Sequence, residues 1–258
     1  ELLDVTFSGN KAREGGAIYL SGTTAILANM TVVDSEATRG GGVYINGGGL
    51  VQMINAVIAG NTGREAGGGI YLGGTVPNLR LDNPTIAFNN ADAGGAIHQA
   101  GLSTQLDIRN GIVYGNRLRS DGGTGPQLRF ANAPAAFALR NVLLEGGTGG
   151  GLSGSHGGSP ITAIIGDPQF RRAPDSAGAG GGSASADFRL SSASAAINAG
   201  DYDLFPSALT LIHSGGVPTD REGRIRNFPG AGQGERPQID LGAYEFPNNP
   251  PTLDGGDQ

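Results

Sequence analysis

A unit recurs along this chain, with Asn or Asp at its head and usually Asn at its tail six positions later. It runs Asp4 to Asn10, Asn29 to Ser35, Asn55 to Asn61, Asn83 to Asn89 and Asn110 to Asn116. A further head stands at Asn141, its tail worn to Gly147. Successive heads lie 25, 26, 28, 27 and 31 residues apart. Self-similarity at such a period is the signature of a solenoid, in which each repeat buries its apolar face against the next.

The unit has a second half. After each tail come a glycine pair and then an apolar residue: Gly15-Gly16-Ala17-Ile18, Gly40-Gly41-Gly42-Val43, Gly67-Gly68-Gly69-Ile70 and Gly94-Gly95-Ala96-Ile97. A stretched fifth copy runs from Gly122-Gly123 to Leu128-Arg129-Phe130. Before each later head stands an alternating pair: Ala25 and Leu27, Val51 and Met53, Leu79 and Leu81, Leu106 and Ile108, Phe137 and Leu139. Helical repeats of this length need apolar residues three and four apart over ten or more positions. Here the spacing is two, the runs are short and glycine sits between them. The pattern therefore predicts an all-β, right-handed parallel β-helix, with three short strands per coil of about 25–28 residues. Strands pair about 4.8 Å apart, so six coils would rise roughly 25–30 Å.

In such a stack a residue repeated once per coil lies on its own copies. The heads Asp4, Asn29, Asn55, Asn83, Asn110 and Asn141 are read as a structural ladder, internal and hydrogen-bonded from coil to coil. Asn also tolerates the left-handed corner between two strands. Gly15 and its copies supply the positive φ that another corner needs.

The charges fit a solvated wall. With the heads fixing the register, Arg80 faces Asp107 and Asp82 faces Arg109, pairs that each stabilise by less than ~1 kcal/mol when exposed. Thr6, Thr31, Val57, Thr85 and Ile112 form an outward file two residues past the heads. Tyr19, Tyr44, Tyr71 and His98 form another. These aromatics either support the sheet by stacking or form a flat platform for sugar rings.

Gly makes up 48 of 258 residues against an ordinary ~7%, through the repeat and two loops. The formal charge is −6 and Lys11 is the only lysine, so the basic face of a nucleic-acid binder is missing. Without cysteine there is neither a disulfide framework nor thiol chemistry. No apolar run approaches the ~20 residues of a membrane span. The chain opens inside a coil, at Leu2-Leu3-Asp4, and reads as a piece of a longer one.

The first coils resemble a known family. Phe7-Ser8-Gly9-Asn10 followed by Gly15-Gly16-Ala17-Ile18 is similar to the repeats of polymorphic outer membrane proteins, which are surface-exposed β-helices. The likeness covers residues 1 to about 125, with Val32, Ile58, Ile86 and Val113 replacing the Phe in later copies. A second likeness lies in the C-terminal third. Asp167-Pro168-Gln169-Phe170, Asp187-Phe188-Arg189-Leu190, Ala196-Ile197-Asn198-Ala199-Gly200, Asp220 to Arg226 and Asp240-Leu241-Gly242-Ala243-Tyr244-Glu245 follow the order of choice-of-anchor Q proteins. Ala195 departs from that family's usual proline. These resemblances imply an extracellular or cell-surface β-helix whose last coils end at the Gly-Ala-Tyr-Glu strand, and no established catalysis.

Three regions follow: repetitive coils over 1–160, irregular last coils closing the solenoid over 161–246, and a Pro/Asp-rich linker over 247–258 that leads to further domains of the same chain or to an anchor. Within the first, Gly146 to Gly158 reads as a loop with His156 exposed in it; within the second, Ser176 to Ser185 reads as a surface insertion without core value. Closure is expected because an open last coil would expose strand edges. Arg224 and Arg226, among Asp220, Glu222, Asp240 and Glu245, are read as ion pairs pinning the final loop. The alternative is a structural Ca2+ site using Asp201, Asp203 or Asp220, although such a site needs six to eight oxygens and no Asp-x-Asp-x-Asp-Gly loop is present.

Two functions fit. One is a structural or adhesive module displaying a rigid wall and loops to carbohydrate or cell-surface components. The other is a polysaccharide lyase or glycoside hydrolase, since many of these are β-helices. The wall files hold neither two unpaired carboxylates nor a carboxylate beside a His, so the module is favoured and no catalytic residue or cofactor is assigned.

Overall fold

The computed structural model describes residues 1–75, 77–120, 123, 125–157, 160–204, 219–226 and 238–247. Of the expected linker, everything beyond Pro247 lies outside the described residues, as do Asp121, Gly122 and Thr124 of the stretched fifth repeat.

The chain is a parallel β-solenoid with three apolar strands per coil. The strands before the heads stack into a first wall: Leu2–Leu3, Ala25–Ala28, Leu50–Ile54, Asn78–Asp82, Gln105–Arg109 and the first half of Ala136–Leu144. The strands after the heads form a second: Thr6–Ser8, Thr31–Val33, Val57–Ala59, Thr85–Ala87, Ile112–Tyr114 and the second half of Ala136–Leu144. The strands after the glycines form a third: Ile18–Ser21, Val43–Asn46, Ile70–Gly73, Ile97–Gln99, Leu128–Phe130 and Leu152–Ser153. Between the second and third walls runs a shorter polar ladder that periodicity did not resolve: Glu36–Arg39, Thr62–Ala66, Asn90–Ala93 and Arg117–Leu118. Its inward file runs Ala37, Gly63, Ala91 and Leu118, and the first three are too small to mark a strand by hydrophobicity.

Register follows the heads. Arg80 pairs with Asp107 and Gln52, and Asp82 with Arg109 and Ile54, so one file of side chains runs straight up the wall. The inward side chains, among them Leu27, Met53, Leu81, Ile108, Ile58, Ile86, Ile70 and Ile97, form one continuous core. Gly67 opens the third wall at φ +65°, and a Cβ there would lie 2.4 Å from the Ile70 carbonyl oxygen, so only glycine fits.

The last coil is closed from within the repetitive region. A turn of helix at Gly147–Gly150 and the rung Leu152–Ser153 bring His156 against Phe130 and Phe137, at 5.7 Å from each ring. Ile161–Ile164 then adds a final strand beside Ala136–Leu144. The expected loop with an exposed His156 is thus a partly buried plug.

The C-terminal third does not continue the coils. It turns back and lies along the outside of the second wall as a strap. Phe188 and Ala243 cover Val33, Val57, Ala59 and Ala87. Leu190, Ala196 and Leu241 cover Ile112 and Leu143. The file Thr6, Thr31, Val57, Thr85 and Ile112 therefore meets protein over most of its length: Thr85 accepts from the Ala243 N–H at 3.0 Å. Phe170–Arg172 pairs with Asp187–Leu190, and Gly200–Asp201 with Gln238–Ile239, both antiparallel. Gly242 to Glu245 is a turn rather than a strand. The Ser176 to Ser185 segment also packs: the Ala179 N–H donates to Thr62 Oγ1 at 2.8 Å, and the Ala184 N–H to Asp34 Oδ2 at 2.9 Å.

Candidate functional site

The heads sit at the corner between the first and second walls. Asp4, Asn29, Asn55, Asn83, Asn110 and Asn141 all have φ between 49° and 54°, the left-handed conformation that a short amide side chain tolerates. In that conformation the head points outward and the next residue, such as Met30, Ala56 or Val142, points into the core. The first heads bond to one another: Asn29 Nδ2 to Asp4 Oδ1 at 3.0 Å and Asn55 Nδ2 to Asn29 Oδ1 at 3.1 Å. Above them the strap takes over. Asn110 exchanges hydrogen bonds with the Asp201 backbone at 2.9 Å each way. Asn55 Nδ2 donates to the Thr219 carbonyl at 3.0 Å.

The internal ladder is built by the tails. Asn61 donates from both N and Nδ2 to Asn89 Oδ1 at 2.9 Å, and Asn89 does the same to Asn116 Oδ1. Ser35 N donates to Asn61 Oδ1, and Asn116 Nδ2 to Gln127 Oε1, at the two ends. Asn61, Asn89 and Asn116 are all buried.

Arg226 locks the strap to the heads. It is fully buried and donates to the carbonyls of Gly242 at 2.8 Å and Asp240 at 3.3 Å, to Glu245 Oε2 at 3.0 Å and to Asn55 Oδ1 at 3.2 Å. The amide oxygen of Asn83, oriented by this network, accepts from Nη1 at 3.1 Å and Nε at 3.3 Å. Arg224 pairs with Glu222 and, at 3.6 Å, with Asp220.

The carboxylates of Asp220 and Asp201 hold backbone N–H groups. Both Asp220 oxygens accept backbone N–H donors, those of Glu222, Arg224 and Glu245, each at 2.8 Å. A carboxylate ringed by donors has the polarity opposite to a cation site. Asp201 Oδ1 accepts from the Asp203 N–H at 2.9 Å. Among the described residues no three acidic or His side chains converge.

Tyr19, Tyr44, Tyr71 and His98 stack ring on ring, with centroids 5.2, 4.9 and 5.3 Å apart. Tyr44, Tyr71 and His98 are buried by the stack, while Tyr19 remains 46% exposed. The ring faces that a sugar would use are occupied by neighbouring rings, leaving the outer face of Tyr19. Arg39 adds a guanidinium 5.5 Å from the Tyr71 ring centre.

Two buried groups are shifted far from their ordinary values. Burial, with Arg129 adding to it, lowers the His98 imidazole to about 4. Burial raises the Glu245 carboxyl to about 8, against the pull of Arg226. Stability supplied by neutral His98 is lost as pH falls from its ordinary 6.5 toward about 4. The Glu245 contribution runs the other way: it is complete below the ordinary 4.5 and lost as pH rises through about 8. Above pH 6.5 the Glu245 effect acts against no change at His98. The melting temperature should therefore fall as pH rises from 6.5 past 8, and Glu245→Gln should flatten that fall. A wild-type melting temperature constant across this window would contradict the assignment.

The first wall carries a charged groove of about 290 Å3, lined by Arg80, Asp107, Arg140, Asn78, Gln105 and Ala138 among others. The register is the expected one, but the ion pairs lie mostly within strands. Arg80 Nε bonds Asp82 at 3.0–3.1 Å, and Arg109 bonds Asp107 at 2.5–2.8 Å, each two residues along its own strand. Parallel strands bring the i and i+2 side chains of one face together, and burial of Asp82 favours the nearest guanidinium. Asp82 is fully buried and also accepts from Gln52 Nε2 at 2.7 Å. Arg140 reaches Asp107 at 3.3 Å across the coils. Comparison with protein-family models, with curated proteins and with solved structures finds no match for this chain.

Proposed function

We propose that the chain is a structural, adhesive module of a secreted or cell-surface protein, a rigid rod presenting its walls to carbohydrate or cell-surface components. The observation that carries this reading is the state of the wall carboxylates. Asp82 and Asp107, the acidic groups of the first wall's strands from Ala25 to Arg140, are each held by arginine. A hydrolase needs two working carboxylates about 5–9.5 Å apart across the sugar bond, and a base needs a free lone pair aimed at the proton it removes. The strap supports the same reading, because it packs its own apolar side chains on the second wall from Val33 to Leu143. The likeness of the repeats to polymorphic outer membrane proteins and of the C-terminal third to choice-of-anchor Q proteins supports a place at the cell surface.

The test is to incubate the purified protein with neutral and acidic polysaccharides, with and without Ca2+. Binding without release of reducing or unsaturated sugars is expected. Release that disappears in Asp107→Asn would establish an enzyme instead.

A further inference from the structure

We infer that the groove on the first wall binds the anionic groups of an acidic polysaccharide, with the glycan running along the solenoid axis. This rests on the display reading and gives it a site. The outward side chains of this wall between Ala25 and Arg140 include three arginines, Arg80, Arg109 and Arg140, and two aspartates, Asp82 and Asp107. Asp82 is committed to Arg80 and Gln52 beneath the surface. Asp107 is shared, Arg109 taking one oxygen and Arg140 the other. Two guanidiniums on one carboxylate leave one positive charge unneutralised, on a protein whose formal net charge is −6. That excess stands on a wall, not in the core: the side chains of Arg80 and Arg140 are 27% and 38% exposed.

The groove's shape suits a chain rather than a point ligand. Arg80 and Arg140 stand on coils two rungs apart, with Asp107 and Ala138 between them. Ala138 is small, so it leaves the floor open where the neighbouring coils carry Arg80 and Asp107 in the same file. Alongside runs a second file, Asn78, Gln105 and Ala136, in which the Asn78 and Gln105 amides can donate to and accept from hydroxyls. Coils repeat at about 4.8 Å, close to the length of one pyranose along an extended chain. A glycan along the axis would thus meet the Asn78 and Gln105 amides with its hydroxyls and, two coils apart, the Arg80 and Arg140 guanidiniums, which grip carboxylates in bidentate fashion, with its acid groups. Leu50 at one end of the groove and Pro160 at the other supply apolar edges for ring C–H faces.

The experiment measures binding of tetramers of galacturonate, of mannuronate and of neutral glucose by calorimetry at low and at moderate salt. The wild-type protein should bind at least one of the uronate tetramers and not the neutral one, with affinity falling as salt rises. Gln105→Glu places a compensating charge in the groove without removing any ion pair, so its fold should be preserved. It should weaken uronate binding by about tenfold, which is about 1.4 kcal/mol. Arg140→Gln, checked for an unchanged melting temperature, should do the same. Equal binding of neutral and acidic tetramers, no binding of either uronate, or Gln105→Glu binding like wild type would each overturn the site. Any of those results leaves the display reading standing. Uronate binding followed by cleavage would keep the groove and end that reading.

Discussion

Replacing Arg226 with methionine should cost about 3–5 kcal/mol of stability, the range for removing one partner of a buried, hydrogen-bonded charge set. Methionine fills much of the same space, so the loss is electrostatic rather than a cavity. The carbonyls of Asp240 and Gly242, the amide oxygens of Asn55 and Asn83, and Glu245 Oε2 all lose their donor in one step. These acceptors belong to two parts of the molecule, the corner heads and the strap, so the damage should be local in space. The strap should loosen from the second wall while the coils stay folded. Amide exchange should show this directly: the Ala243 N–H, which donates to Thr85, and the Gly242 N–H, which donates to the Asn110 carbonyl, should lose protection. The Asn61 and Asn89 amides inside the coils should keep theirs. Adding Glu245→Gln to Arg226→Met should recover part of the loss, because it removes a carboxyl left without its cation. A variant that melts with the wild type, or one that exposes coil and strap amides together, would show that Arg226 does not fasten the strap.

The coils were legible because each rule they obey is local. Two-residue alternation marked the strands of the first wall, and the glycine pairs marked the entry to the third. The period fixed a register that holds at Arg80 and Asp107. The ladder was harder, because two asparagines recur per coil and only one of them points inward. The head takes the left-handed conformation itself, so its side chain leaves the core. The tail follows a left-handed residue, Gly9, Asp34, Gly60, Phe88 or Gly115, and that turn swings the tail inward. The Gly-Asn pairs at positions 9–10, 60–61 and 115–116 were the available signal. Phe88 breaks the glycine pattern and holds φ +53°, a costly conformation for an aromatic residue. Its ring lies 6.3 Å from Phe170 and 6.4 Å from Phe188, so the strain is retained at a place where the strap docks. The strap itself had a signal in Val33, Val57, Ala59 and Ile112, outward residues too apolar for a solvated wall. Local pattern could say that something covers them, but not that Phe188, Leu190 and Ala243, far along the chain, do so. The buried charges around Arg226 depend on the same long-range docking. Sequence reasoning could group Arg226 with Glu245 but had no means of placing both against Asn55 and Asn83.

The tail ladder makes the second large prediction. Asn89→Leu keeps the volume and removes every polar atom from the middle rung. Asn61 then loses the acceptor of its backbone N–H and of its Nδ2, both at 2.9 Å, and the Ile58 carbonyl loses the donor at 2.9 Å. Asn116 Oδ1 keeps one donor, the backbone N–H of residue 89. Asn61 Nδ2 keeps the Val32 carbonyl at 2.9 Å, so one N–H is left without its partner and two further groups each lose a bond in a site closed to water, which together put the loss at roughly 3 kcal/mol. The end of the ladder should behave differently. Ser35→Ala removes only the longer contacts to the Asn10 N–H at 3.3 Å and the Val33 carbonyl at 3.2 Å, and the Ser35 N–H still reaches Asn61. Its cost should stay near 1 kcal/mol. Asn89→Asp separates hydrogen bonding from shape. A carboxylate can still accept from Asn61 but faces Asn116 Oδ1 and the Ile58 carbonyl with oxygen instead of N–H. Burial among acceptors would raise its folded pKa above the unfolded value, so its stability should rise as pH falls through that raised value. Urea unfolding at constant m-value reads all three variants. Equal losses for Asn89→Leu and Ser35→Ala, or an Asn89→Asp variant indifferent to pH, would mean that packing rather than the amide column holds the coils in register.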